Sequence, residues 1–269
     1  MNGERSSRND SGPEIGAATA AKMEDPRHRT QLLAPWWHTA LVVLLVAGIS
    51  VSGARQLHDA GQQVPLVPNY ALSIAYEWAL AGIAWWGLRL RNIPLRQLLG
   101  EARPGWRGWL GDFGAALLYW VVALMLLSLL AQALLYFSGS SVDPRKIGDV
   151  TQKLAPTTGL EMMLFLMLSI SAGICEEFVF RGYLQQQFGR IGGRIAIGVV
   201  LSAIVFGSAH LYEGIAGVML IAAYGAMFGV LAIFRRGLRT GMMAHVWHDS
   251  VSGAALVLLR HYSLHAAGK

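Results

Sequence analysis

The sequence predicts an all-α, polytopic membrane protein, a bundle of about seven or eight transmembrane helices. Three observations carry this. Hydrophobic residues make up 54% of the 269 residues and charged ones only 14%, where soluble domains hold roughly 45–50% and 25%. Several apolar stretches approach the roughly 20 residues that cross a bilayer as a helix. The basic residues between those stretches divide unevenly between the two sides of the implied membrane. The single cysteine, Cys175, excludes an intrachain disulfide framework and a cysteine-based zinc site.

Residues 1–30 are polar or small with mixed charge and are expected to form a disordered cytoplasmic tail, leaving 31–269 as the transmembrane domain. The first apolar stretch, 35–54, opens on Trp36 and Trp37. The second, 70–88, follows the proline-containing VPLVPN and closes on Trp85 and Trp86. Tryptophans at such positions suit the membrane interface. The third, 109–137, is long enough to tilt or overhang, and the polar linker SGSSVDPRKIGD follows it. The fourth starts near Thr158 and runs through EMMLFLMLSISAGI into CEEFVFRGYLQQQF; the fifth covers 195–210, the sixth 214–234 and the seventh 240–259.

Lys and Arg are retained on the cytoplasmic side of a membrane. Sixteen basic residues fall in the N-terminal tail and the second, fourth and sixth connections, against six on the alternate side, which places the N-terminus in the cytoplasm and the C-terminus outside. The net charge of +6 thus serves orientation and contact with anionic lipid headgroups, and no nucleic-acid partner is expected. The Ala-, Gly- and Arg-rich composition suits a bacterial inner membrane.

His38, Glu77, Asp112 and Glu161 lie close to interfaces or aromatic anchors and read as structural or snorkelling groups. Three other places bunch polar groups where lipid penalises each one. Glu176 and Glu177 are neighbours whose side chains diverge by about 100° on a helix, so they are expected not to point into one site and need different jobs. Arg181, four residues after Glu177, is spaced to pair with it. Glu176 is left without a local partner: it is a general-base candidate, or the acid pair simply ends the helix with Arg181 as a headgroup anchor. His210 closes a run without charge and reads as interfacial or functional. His245 and Asp249 share a helical face, with His248 within a turn of both; Asp249 can orient the imidazole, or both can ligate a metal.

Glu176 and His210 are 34 residues apart and His210 and His245 are 35 apart, so they sit on three different helices. One carboxylate and two imidazoles converging in a dry cavity can activate water and stabilise an oxyanion, the minimum for amide hydrolysis. Convergence requires the fourth helix to run past the acid pair to about Gln187, and the chain to bend or break near His210, where Gly207, Gly214 and Gly217 permit it.

In this order the residues resemble the CPBP intramembrane proteases, also called the Abi or type II CAAX prenyl endopeptidase family, which includes the Ras-converting enzyme. The family pattern is EExxxR, FxxxH, then HxxxN or HxxxD. Glu176, Glu177 and Arg181 fit its first element, Phe206 and His210 its second, His245 and Asp249 its third. The resemblance covers roughly 115–260 and implies an intramembrane endopeptidase with a central active-site cavity, acting on a membrane-associated protein or peptide. It implies Glu176 as general base on a water, helped by His210, with His245 and Asp249 binding that water or stabilising the oxyanion. Glu177 and Arg181 would hold the helix in place. Asp249 stands where Asn is common; ionised, it cannot donate to an oxyanion, so it must be protonated, orient His245 or ligate a cation. A glutamate mechanism needs no cofactor, whereas a metal-dependent one would use Glu176, His210 and His245 as ligands for a divalent metal such as zinc. Membrane lipid and a membrane-associated substrate are the expected partners. Two other readings use the same residues: a non-catalytic scaffold or bacteriocin-immunity-type protein retaining the fold, and a small transporter with a proton relay.

Overall fold

The computed structural model describes residues 31–59, 64–100, 105–138 and 152–267. The tail expected over 1–30 and most of the linker SGSSVDPRKIGD lie outside the described residues. Among the described residues the regular elements are all helices. They are α1 (Trp36–Asp59), α2 (Leu66–Arg89), the short α3 (Arg96–Leu99), α4 (Gly105–Ser138), α5 (Gly159–Glu176), a π-helix (Glu177–Leu184), α6 (Gln185–Ile191), α7 (Ile195–Ser208), a 3₁₀ turn (Leu211–Glu213), α8 (Gly214–Arg235) and α9 (Arg239–Ala267).

Each expected apolar stretch is helical. The spans Trp36–Gln56, Gly105–Phe137, Gly159–Ile191 and Leu211–Arg235 are long and apolar enough to cross a membrane. The protein is therefore a polytopic, all-α membrane protein. Helix α7 is shorter, with 14 residues. Helices α2 and α9 have the length, but groups such as Asn69, Glu77, His245, His248 and Asp249 lower their apolarity.

Local chemistry sets the ends. Helix α2 starts ahead of the expected position because Pro65 caps it and Pro68 lies in its first turn, where a missing N–H costs no helical bond. Thr158 and Glu161 form a capping box at α5: the Thr158 hydroxyl accepts from the Glu161 N–H at 3.2 Å, and the Glu161 carboxylate accepts from the Thr158 N–H at 3.0 Å. Helix α5 does not end at the acid pair. It passes through the π-helix into α6 and reaches Ile191, beyond the expected Gln187. After the Gly192–Gly193 turn, α7 runs back beside it. Glu176 precedes Ile191 by 15 residues and His210 follows Ile195 by 15 residues, so the two return to similar depth.

The chain breaks near His210 as expected, and Gly214 takes the positive φ of 74° that the break requires. Gly207 has another role: a Cβ there would lie 2.6 Å from the Val218 carbonyl oxygen and 2.7 Å from Ala222 Cβ, so its missing side chain lets α7 and α8 touch.

One end of the bundle is sealed. Leu33, Ala34, Leu88, Leu98, Tyr183, Leu184 and Leu238 pack there, and α3 meets the α8–α9 turn, where the Leu238 N–H donates to the Leu99 carbonyl at 3.3 Å. Trp36, Trp37, Trp85 and Trp86 are exposed at this end, as an interfacial position requires. His38 is fully buried there: its Nε2–H donates to the Ile83 carbonyl at 3.0 Å, and its Nδ1 accepts from the Tyr183 hydroxyl at 2.8 Å. Asp112 on α4 pairs with Arg235 at 2.5 Å and accepts from Thr240 at 3.3 Å. His38, Asp112 and Glu161 are structural, as the sequence suggests; Glu77 has a different setting.

Candidate active site

The π-helix carries Glu177 and Arg181 at its centre of packing. Its i→i+5 pattern is visible where the Gln185 N–H donates to the Phe180 carbonyl. The same carbonyl also accepts from the Ser202 hydroxyl of α7 at 2.6 Å. On the α8 side, Arg181 Nη2 donates to the Gly225 carbonyl at 3.2 Å and Gln185 Nε2 to the Gly229 carbonyl at 3.1 Å. Donors four residues apart thus meet acceptors four residues apart. Glycines make the approach possible, since a Cβ on Gly229 would lie 2.5 Å from Gln185 Oε1.

Arg181 and Glu177 form the expected ion pair, with Nη1 3.0 Å from Oε1 at side-chain exposures of 1% and 0%. The angle makes this an ion contact rather than a directed hydrogen bond. The guanidinium also lies 4.2 Å from the Phe206 ring centroid and 5.0 Å from that of Phe228, where ring faces offset its desolvation. Arg181 is therefore no headgroup anchor and leaves the count of basic residues in the connections. Glu177 Oε2 packs against the bare face of Gly241.

Both acidic neighbours reach His245, which corrects the expectation that they serve separate places. His245 Nδ1–H donates to Glu177 Oε1 at 3.2 Å, and Nε2 lies 3.6 Å from Glu176 Oε2. An imidazole presents its nitrogens on different edges, so it can bridge two carboxylates that diverge around a helix. Asp249 completes the cluster, with Oδ2 3.8 Å from His245 Nε2. The ring is stacked on Phe228 at 5.2 Å between centroids. His248 faces elsewhere: its Nδ1 accepts from Trp120 Nε1–H at 3.3 Å, fastening α4 to α9.

His210 is brought near the cluster without a direct contact to Glu176 or His245. Its Nδ1–H donates to the Phe206 carbonyl at 3.0 Å, which leaves Nε2 free to act. It lies within electrostatic range of Asp249. Glu176 and His210 both line a cavity of about 950 Å³ between α1, α2, α5 and the α7–α8 turn. Glu77 lines it too, 8% exposed, and interacts electrostatically with Glu176. Among the described residues, no group of three or more His, Cys, Asp or Glu is arranged to hold a metal ion. Glu176, His210 and His245 are thus not gathered as a zinc set.

Residues 157–251 match the family model for type II CAAX prenyl endopeptidase, Rce1-like. This segment is similar to that family. It contains all three motif elements and spans α5 to the middle of α9, narrower than the resemblance read from the sequence. The match covers 95 of the 269 residues, and what it supports is a likeness to CAAX-protease-like membrane endopeptidases. No curated protein and no solved structure matches the chain.

Two parts of the site are missed by motif reading. Glu77 lies outside the matched segment and joins the cavity only through tertiary packing. The Gly225–Gly229 stripe is legible as a small-xxx-small spacing in GAMFG, a close-approach signal in membrane helices.

Proposed function

We propose that the protein is an intramembrane endopeptidase that hydrolyses a peptide bond of a membrane-associated protein or peptide, with Glu176 as general base. The carrying observation is the Glu176 carboxylate on the cavity wall, 3.6 Å from the Nε2 of a His245 whose other nitrogen is held by Glu177. Glu176 takes a proton from a cavity water, and the oxygen of that water adds to the scissile carbonyl carbon. His245, carrying a proton on Nε2, donates to the resulting oxyanion, and Asp249 keeps that edge of the ring oriented. His210 Nε2 positions the water. Glu176 returns its proton to the amide nitrogen as the C–N bond breaks, yielding a carboxylic acid and an amine. Substrates reach these groups through the cavity that Glu176 lines, with the N-terminus cytoplasmic and a bacterial inner membrane as the setting.

Glu176→Gln keeps the shape and removes the base. In proteoliposomes it is expected to lower peptide cleavage by about 10²–10⁴-fold while the protein still accumulates. Cleavage at the wild-type rate would overturn the proposal. A scaffold would retain partner binding in this variant, and a transporter would lose flux without ever cleaving a peptide.

A further inference from the structure

The lining of the cavity runs to one end of the bundle. It reaches Gln56 near the end of α1, Val64 and Pro65 before α2, Leu154 before α5 and Tyr212 after α7. These three connections, α1–α2, the one before α5 and the one after α7, lie at the same end of an antiparallel bundle. Polar groups mark the way inward: Gln56, Asn69, Ser73 and Tyr76 lead to Glu77 and Glu176. Water can follow such a path, because each step offers a hydrogen-bond partner.

Beyond Glu176 the path is closed. Val179, Tyr183 and Leu184 are at most 1% exposed, and Leu33, Ala34 and Leu88 pack over them. Gln187, fully buried, ties this layer down, accepting from the Leu33 and Ala34 N–H groups and donating to the Ala34 carbonyl and the Thr39 hydroxyl. The sealed end carries Arg89, Arg91, Arg96, Arg107, Arg190, Arg194, Arg235, Arg236 and Arg239, whereas Arg55, Lys153 and Arg260, far along α9, are the basic residues described toward the open end. Charge of this sign stays on the cytoplasmic side.

We infer that the site is served from the extracytoplasmic side: its substrates are peptide segments of exported or membrane-anchored proteins displayed outside the cytoplasm, not cytosolic tails. The chemistry rests on the proposed peptidase activity; the side of access does not. The test exploits the full chain, whose one cysteine is buried and gives the baseline. Ser73→Cys places a thiol on the cavity wall and Arg91→Cys one at the sealed end. In intact spheroplasts, a membrane-impermeant maleimide is expected to label Ser73→Cys and to reach Arg91→Cys only after permeabilisation. The reverse pattern, or a Ser73→Cys thiol reached only after permeabilisation, overturns the inference. Gln56→Cys at the mouth serves where Ser73→Cys does not accumulate. Cleavage is read separately, with a soluble peptide added to right-side-out or inverted vesicles. Faster cleavage in inverted vesicles also overturns the inference. No cleavage in either, nor after detergent, defeats the peptidase reading, and the labelling pattern then decides the side of access by itself.

Discussion

One imidazole, His245, meets carboxylates at both of its nitrogens. Its orientation depends on Glu177, and Glu177 depends on Arg181, so a group remote from the cavity governs the ring that stands behind Glu176 on the cavity wall. Removing one partner of a buried pair strands the other charge at a cost of about 3–5 kcal/mol. Arg181→Ala is thus expected to lower abundance and the unfolding temperature in detergent, rather than turnover alone. Normal accumulation with only slower turnover would count against the ion-pair role. Glu177→Gln keeps an acceptor for Nδ1–H but leaves Arg181 without its counter-charge. It should show both a stability loss and weaker cleavage, measured by thermal unfolding and peptide hydrolysis of the same preparation. The Glu177–Arg181 pair was legible from its spacing of four. The meeting of Glu176 and Glu177 on one ring was not, because divergence around a helix says nothing about a flat group arriving from another helix. Glu77 stayed hidden for the same reason.

At the scale of helices, the register between the π-helix and α8 holds the acidic residues in place. Gly229→Leu would drive a side chain into Gln185, and overpacking of this kind costs typically 1–3 kcal/mol. The variant is expected to unfold earlier than wild type; an unchanged unfolding temperature would show that the two helices are free to separate. Ser202→Ala removes one of two donors to the Phe180 carbonyl and leaves that oxygen its backbone partner. Its expected effect is smaller, about 1 kcal/mol. The continuation of α5 beyond the acid pair follows from sequence, since a helix ending at Glu176 would strand it from His210. The π geometry does not follow, because its partners lie on α7 and α8 and no local periodicity announces it.

Across the whole molecule, the helical stretches were legible because a bilayer demands long apolar runs, and their ends because prolines, glycines and the Thr158 capping box punctuate them. The cavity was not, since it is a space left between α1, α2 and α5 rather than a property of any one of them. Helix α4 stands apart, fixed by few polar contacts, among them Asp112 to Arg235 and Trp120 to His248. Asp112→Ala is expected to loosen α4 and hasten proteolysis of the folded protein in mild detergent; unaltered protease resistance would assign that helix's anchoring to its aromatic contacts.

The sealed layer behind Glu176 has a kinetic meaning. On the proposed activity, a chain cannot be threaded through a chamber closed behind its base, so neither fragment leaves past Val179 and Tyr183. Such an enzyme clips once per visit instead of walking along its substrate, and either fragment, while it lingers, bars the next arrival.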